Sequence, residues 1–208
     1  MDDDHLTRRR LLAGAALAPA ALVLARCGGE DAPRSASGTS QAQSAPSGSL
    51  PATPACDDHD EATQEQTEGP YFTPGSPQRT SLMEAGVRGT PLLLTGRVLD
   101  TNCRPTARAL LDFWQADGDG EYDNEGFRLR GHQFTDSQGR FRLSTVVPGL
   151  YPGRTRHIHV KAQRRGGEVL TTQLYFPGEA GNAQDSLFDE ALQVQRSGRR
   201  GAFDFVLV

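Results

Sequence analysis

Cysteine, basic stripes, long apolar runs and helical periodicity are all scarce in this chain. Only three of its 208 residues are Cys, at 27, 56 and 103. The formal net charge is -4 and the sequence pI about 5.7. With no basic stripe, the electrostatic footprint of a nucleic-acid binder is missing. The uncharged apolar run from Leu11 to Ala25 has 15 residues, short of the about 20 that cross a bilayer. No sustained 3.6-residue apolar pattern runs through the chain, which argues against a helical bundle. What is abundant is turn chemistry, with 23 Gly and 13 Pro.

The N-terminus reads as a targeting segment and not as part of the fold. Thr7-Arg8-Arg9-Arg10-Leu11-Leu12 carries the paired arginines of a twin-arginine export signal, followed by the apolar run. Leu24-Ala25-Arg26-Cys27-Gly28 looks like a lipoprotein cleavage site, in which Cys27 is acylated. Arg26 departs from the small residue expected there, so signal cleavage without lipidation is the alternative. The expected organisation is a signal over 1–27, a Ser/Ala/Gly/Pro linker over 28–55 and a folded domain over 56–208. The linker has too few large apolar side chains to fold. In an oxidising compartment, Cys56 and Cys103 are expected to form a disulfide.

From Asp57 to Glu68 the chain is acidic and reads as a short helix. Beyond it, short apolar segments alternate with turns. Strands are expected over 92–98, 109–115, 133–135, through Arg140-Phe141-Arg142-Leu143, and over 160–163, 169–176 and 202–208. A short helix is expected within 185–194. Many short strands between Gly/Pro turns indicate an all-β fold, a β-sandwich of mostly antiparallel strands with long functional loops and little helix.

His157-Ile158-His159 places two imidazoles on one face of a strand, because successive side chains alternate. They could grip one metal ion or fill a polar patch. Tyr151 lies six residues before His157, across a Pro152-Gly153 turn that can fold its phenol back towards the strand. Tyr122 sits in the Gly/Asp-rich loop after Trp114-Gln115-Ala116-Asp117, where functional groups are commonly displayed.

Four motifs in this order resemble the intradiol ring-cleavage dioxygenases. They are Glu68-Gly69-Pro70-Tyr71-Phe72, Trp114-Gln115-Ala116-Asp117 with Tyr122, Tyr151-Pro152-Gly153-Arg154-Thr155 with His157-Ile158-His159-Val160, and Gln173-Leu174-Tyr175-Phe176. The resemblance implies that Tyr122, Tyr151, His157 and His159 ligate a non-haem Fe(3+) ion. Tyr151 would also act as a base, and Arg154 would stabilise negative charge on the substrate ring. Gly69, Pro70, Tyr71, Trp114, Arg154 and Gln173 would line the substrate site. Arg156 stands where relatives often have Pro, and is expected to point outward and be dispensable.

The donor set has its own chemical logic. Phenolate is a hard anionic oxygen ligand and imidazole suits several transition metals. Zinc sites mostly use Cys and His, so two phenols with two imidazoles favour ferric iron. The implied reaction is cleavage of a catechol-type ring by O2 to a cis,cis-muconate derivative. The implied partners are a catechol, protocatechuate or hydroxyquinol type of substrate and O2, with no nucleic acid and with membrane contact only through a lipid on Cys27. Thr135-Asp136-Ser137-Gln138-Gly139-Arg140 is also typical of non-catalytic transthyretin-like modules, which lack the Tyr/Tyr/His/His set and form the alternative.

Overall fold

A computed structural model describes residues 61–208. The expected signal over 1–27, with Cys27, the linker over 28–55, and Cys56 lie outside the described residues. So does the disulfide, since it needs Cys56. Cys103 is half-buried, at φ 56, in the turn after the first strand.

The strands in chain order are β1 (Pro91–Asp100), β2 (Leu110–Trp114), β3 (Arg130–Phe134), β4 (Arg140–Val146), β5 (His157–Gln163), β6 (Val169–Tyr175), β7 (Gln195–Ser197), β8 (Arg200–Ala202) and β9 (Phe205–Leu207). They form two sheets. One has the order β4-β1-β8-β7, with β9 also paired to β1. The other has the order β3-β2-β5-β6 and is antiparallel throughout. One apolar cluster draws on both sheets, including Leu92, Leu94 and Leu143 from the first and Leu111, Phe113, Ile158, Val160 and Leu174 from the second. The fold is thus an all-β sandwich. Burying each such side chain stabilises it by roughly 1.5–3 kcal/mol.

Alternation along β5 decides where the chemistry goes. Ile158, Val160 and Ala162 face the core. His157, His159 and Lys161 therefore face away from it, towards the loops. Register aligns Trp114, His159 and Gln173 across three strands, and pairs His157 with Tyr175.

The helical and C-terminal expectations are met only in part. Residues 61–69 contain no helix. They are held by hydrogen bonds from Thr63 N to Val206 O (2.9 Å) and from Gln66 N to Thr171 O (2.8 Å), which an acidic helix could not make. Within 185–194 only Glu190–Leu192 is helical, as a 3-10 turn, and a second 3-10 turn spans Ala180–Gln184. The expected strand over 202–208 is broken at Phe203-Asp204, where the Asp204 carboxylate accepts the Arg97 amide at 2.8 Å.

Candidate metal and substrate site

The loop that carries Tyr122 is built by two aspartates. Asp117 is buried and its Oδ1 accepts the amides of Asp119 (2.9 Å) and Glu121 (3.1 Å). Asp123 accepts the amides of Glu125, Gly126 and Arg128 at 2.9 to 3.1 Å. These N–H groups, Arg128's foremost, hold the Asp123 carboxyl below its ordinary range. The Asp/Gly richness of this stretch thus serves its own backbone, as short aspartates commonly do in turns. Tyr122 is left between the two knots.

Tyr151 is set by a turn in which Arg154 N donates to Tyr151 O at 2.9 Å and Gly153 has φ +76°. Pro followed by a positive-φ Gly is the signature of a type II turn. The two tyrosine loops touch through their backbones. A Cβ on Gly149 would lie 2.2 Å from Gly120 N, so a glycine is required for this approach.

The predicted ligand residues come together. Tyr122 Oη lies 3.4 Å from His157 Nε2. The His157 and His159 rings are 4.8 Å apart, edge to face. Tyr122 is 6.1 Å from the Tyr151 ring and 6.4 Å from the His159 ring, centroid to centroid. Tyr71 stacks on Tyr122 at 4.3 Å, and its hydroxyl donates to Tyr151 Oη at 2.8 Å. Trp114 stacks on His159 at 4.8 Å, and Phe72 meets Trp114 edge-on. Gly69, which Pro70 follows, lies against His159, where an added Cβ would be 3.4 Å from Cε1. Arg154 donates to Gln173 Oε1 at 2.6 Å, and Gln173 Nε2 donates to Thr67 O at 2.9 Å.

The protonation states suit a cation. His157 Nδ1 donates to Thr155 O at 2.7 Å, which leaves the Nε2 lone pair facing Tyr122. Burial, assisted by Arg154, pushes His157 down to about 4, so the ring is neutral at pH 7. Burial and the His157 neighbour hold His159 well below its usual value. His159 Nδ1 is buried with no hydrogen-bond partner among the described residues, a cost that asks for a reason such as an ion. Burial pushes the Tyr122 phenol well up. A nearby cation would reverse that, as metals do for coordinating thiols. Among the described residues no three His, Cys, Asp or Glu side chains are grouped to hold a metal. A metal here would therefore need the phenol oxygens, and the donor set present fits a hard ferric ion.

Arg156, expected to point outward, donates from Nε to Glu179 at 3.0 Å and from Nη1 to Pro148 O, which ties the Tyr151 loop to the loop after β6. Sequence reasoning missed Asp185, Tyr175 and Arg130. Asp185 and Tyr175 hold Arg154. Arg130 binds the backbone of both aromatic loops. Asp185 also caps the amide of Leu187 at 2.9 Å, so its only local signal is an ordinary turn.

A family model described as Dioxygenase matches residues 67–198. Among curated relatives, the protocatechuate 3,4-dioxygenase beta chain of Burkholderia cepacia is 33% identical over 126 residues, 52% of this chain and 54% of that protein. The hydroxyquinol 1,2-dioxygenase of Nocardioides simplex is 27% identical over 154 residues, 62% of this chain and 53% of that protein. The chain thus spans about half the length of these curated relatives. A solved structure of the dioxygenase domain of a dioxygenase carbohydrate-binding protein fusion from Streptomyces sp. SirexAA-E is 60% identical, with TM-score 0.69, over 71% of this chain and 98% of that one. The 3-chlorocatechol 1,2-dioxygenase of Rhodococcus opacus 1CP is 30% identical, with TM-score 0.65, over 74% of each chain. The aligned span holds both tyrosine loops and the histidine strand, and on this footing the chain belongs to the intradiol ring-cleavage dioxygenase family.

Proposed function

We propose that the protein cleaves a catechol-type ring between its two hydroxylated carbons, using O2 and a ferric ion held by Tyr122, Tyr151, His157 and His159. The product would be a cis,cis-muconate derivative. The reading rests on one observation above others, the meeting of two phenols and two neutral imidazoles beside an arginine. When bound, the ion would make the catechol electron-rich enough to react with O2.

The chain's own residues would do the rest. Tyr151 would take up a substrate proton at Oη, as a positioned base. Tyr71, already donating to that oxygen at 2.8 Å, would steady it in either state. Trp114 would fix the His159 plane by stacking. Arg154 would face negative charge developing on the ring, where a preorganised cation stabilises most. Gly69, Pro70 and Tyr71 would form the pocket wall.

The test is oxygen uptake by the iron-loaded protein against catechol, protocatechuate and hydroxyquinol, with product spectra. The loaded protein is expected to be red-brown from tyrosinate charge transfer, and Tyr122→Phe to change that colour. A colourless iron-loaded protein would remove phenol ligation, and no uptake with any catechol would remove the activity.

We also propose export by the twin-arginine route, with the mature chain anchored at Cys27 or secreted, and a Cys56–Cys103 bridge. The paired arginines before an apolar run support the first and the oxidising destination the second. Intact mass of the mature protein checks both. An unmodified full-length chain would exclude cleavage, and two alkylatable thiols at 56 and 103 would exclude the bridge.

A further inference from the structure

Arg154 has most of its donors already committed. Its Nε–H donates to both carboxylate oxygens of Asp185, at 3.1 and 2.9 Å. Its Nη2 donates to Gln173 Oε1 at 2.6 Å and lies 3.4 Å from Tyr175 Oη. Nη1 is left without a hydrogen-bond partner among the described residues. A planar guanidinium held along two edges has one orientation, and its remaining nitrogen has one direction to point.

Asp185 is itself anchored. Its carboxylate accepts the amides of Thr155 and Leu187, both at 2.9 Å, and its side chain is 1% exposed. Burial alone would raise this carboxyl. The two amides and the guanidinium outweigh burial and hold it below its ordinary range. It is an interior charge with a fixed address, unlike the half-exposed Glu179 that meets Arg156. Tyr175 closes the arrangement, donating to Leu187 O at 2.6 Å.

We propose that Asp185 is a positioning residue for Arg154: it sets the guanidinium plane so that Nη1 faces the substrate ring. This rests on the function proposed above. Asp185 neither touches substrate nor exchanges a proton with it. Its whole effect passes through Arg154. A merely structural Asp185 would instead steady the loop around Ala180–Gln184 whatever residue stood at 154.

The test is a double-mutant cycle on the iron-loaded full chain with wild type, Asp185→Asn, Arg154→Gln and the pair. Asp185→Asn is expected to lower kcat by roughly 10- to 100-fold with KM and the visible band little changed, the loss expected when a group is displaced rather than removed. The pair should be no slower than Arg154→Gln alone, since groups acting as one unit do not add. Multiplying effects, or an Asp185→Asn kcat within twofold of wild type, would overturn the proposal. A second readout needs neither iron nor turnover. The Arg154 Nε–H resonance of the metal-free protein should exchange slowly with solvent, and fast in Asp185→Asn. Fast exchange in the wild type would refute the anchoring directly. Absence of turnover in the wild type with slow Nε–H exchange would instead count against the dioxygenase reading and leave the anchoring standing.

Discussion

At the scale of single residues, Arg130 shows how a buried cation can hold a site together without touching it. Its side chain is almost fully buried, and burial lowers its pKa. Nε and Nη2 donate to Asp123 O at 3.1 and 2.7 Å, and Nη1 donates to Tyr71 O. One guanidinium thus spans the residue after Tyr122 and the tyrosine that stacks on Tyr122. Arg79 in turn donates to the Arg130 carbonyl at 2.9 Å. Arg130→Met should fill the space yet leave two carbonyls unpaired, at about 1–3 kcal/mol each. Urea unfolding of the metal-free protein is expected to show that loss, and unchanged stability would mean that water replaces the guanidinium. Arg156 bridges in a similar way: it precedes β5, and its guanidinium joins Glu179 to the Pro148 carbonyl.

At the scale of elements, the readable parts were those whose cause is local. Leu92 and Leu94 are buried and Leu93 half-buried, and His157-Ile158-His159-Val160 sends apolar side chains to the core and imidazoles to a covered outer face, so both segments read as strands in the sequence. Asp136 and Gly139 form a turn that needs no distant partner, since Asp136 Oδ1 accepts the amides of Gln138 and Arg140 at 2.8 Å each. Unreadable parts depend on remote groups. Residues 61–67 form no helix, because Val206 and Thr171 offer carbonyls to Thr63 and Gln66. The break at Asp204 exists because Arg97 has an amide to satisfy there. In the site, the four candidate ligand positions rest on motif resemblance, whereas Asp185 reaches Arg154 from another loop and leaves no local signal of that contact.

That segment carries its own prediction. Thr172 Oγ1 donates to Gln64 O at 2.7 Å, and Gln173 Nε2 to Thr67 O. Residues 61–66 precede the family match, which starts at 67, yet they are stitched to β6 and β9. With reductant present, so that no Cys56–Cys103 bridge contributes, a chain starting at residue 56 is expected to unfold at the same urea midpoint as the full chain. One starting at 68 should unfold markedly earlier, because at least four hydrogen bonds are lost at about 1 kcal/mol each. Equal midpoints for the two truncations would show that the segment adds nothing.

At the scale of the whole molecule, the sandwich keeps two tasks on opposite sides of one sheet. Ile158 and Val160 look inward, and His157 and His159 look outward beneath the loops. Neither tyrosine ligand candidate lies on a strand. The imidazoles therefore inherit the rigidity of the sheet, and the phenols depend on loop knots such as Asp117 and the Pro152-Gly153 turn.

The inward residues of β5 pack in the apolar cluster and the outward ones lie beneath the loops, with Tyr175 meeting both, so most drift on one side need not disturb the other. Loops above the imidazoles can lengthen, shorten or change chemistry while the interior stays as it is. A scaffold built this way can reshape the space above its imidazoles without relearning how to fold.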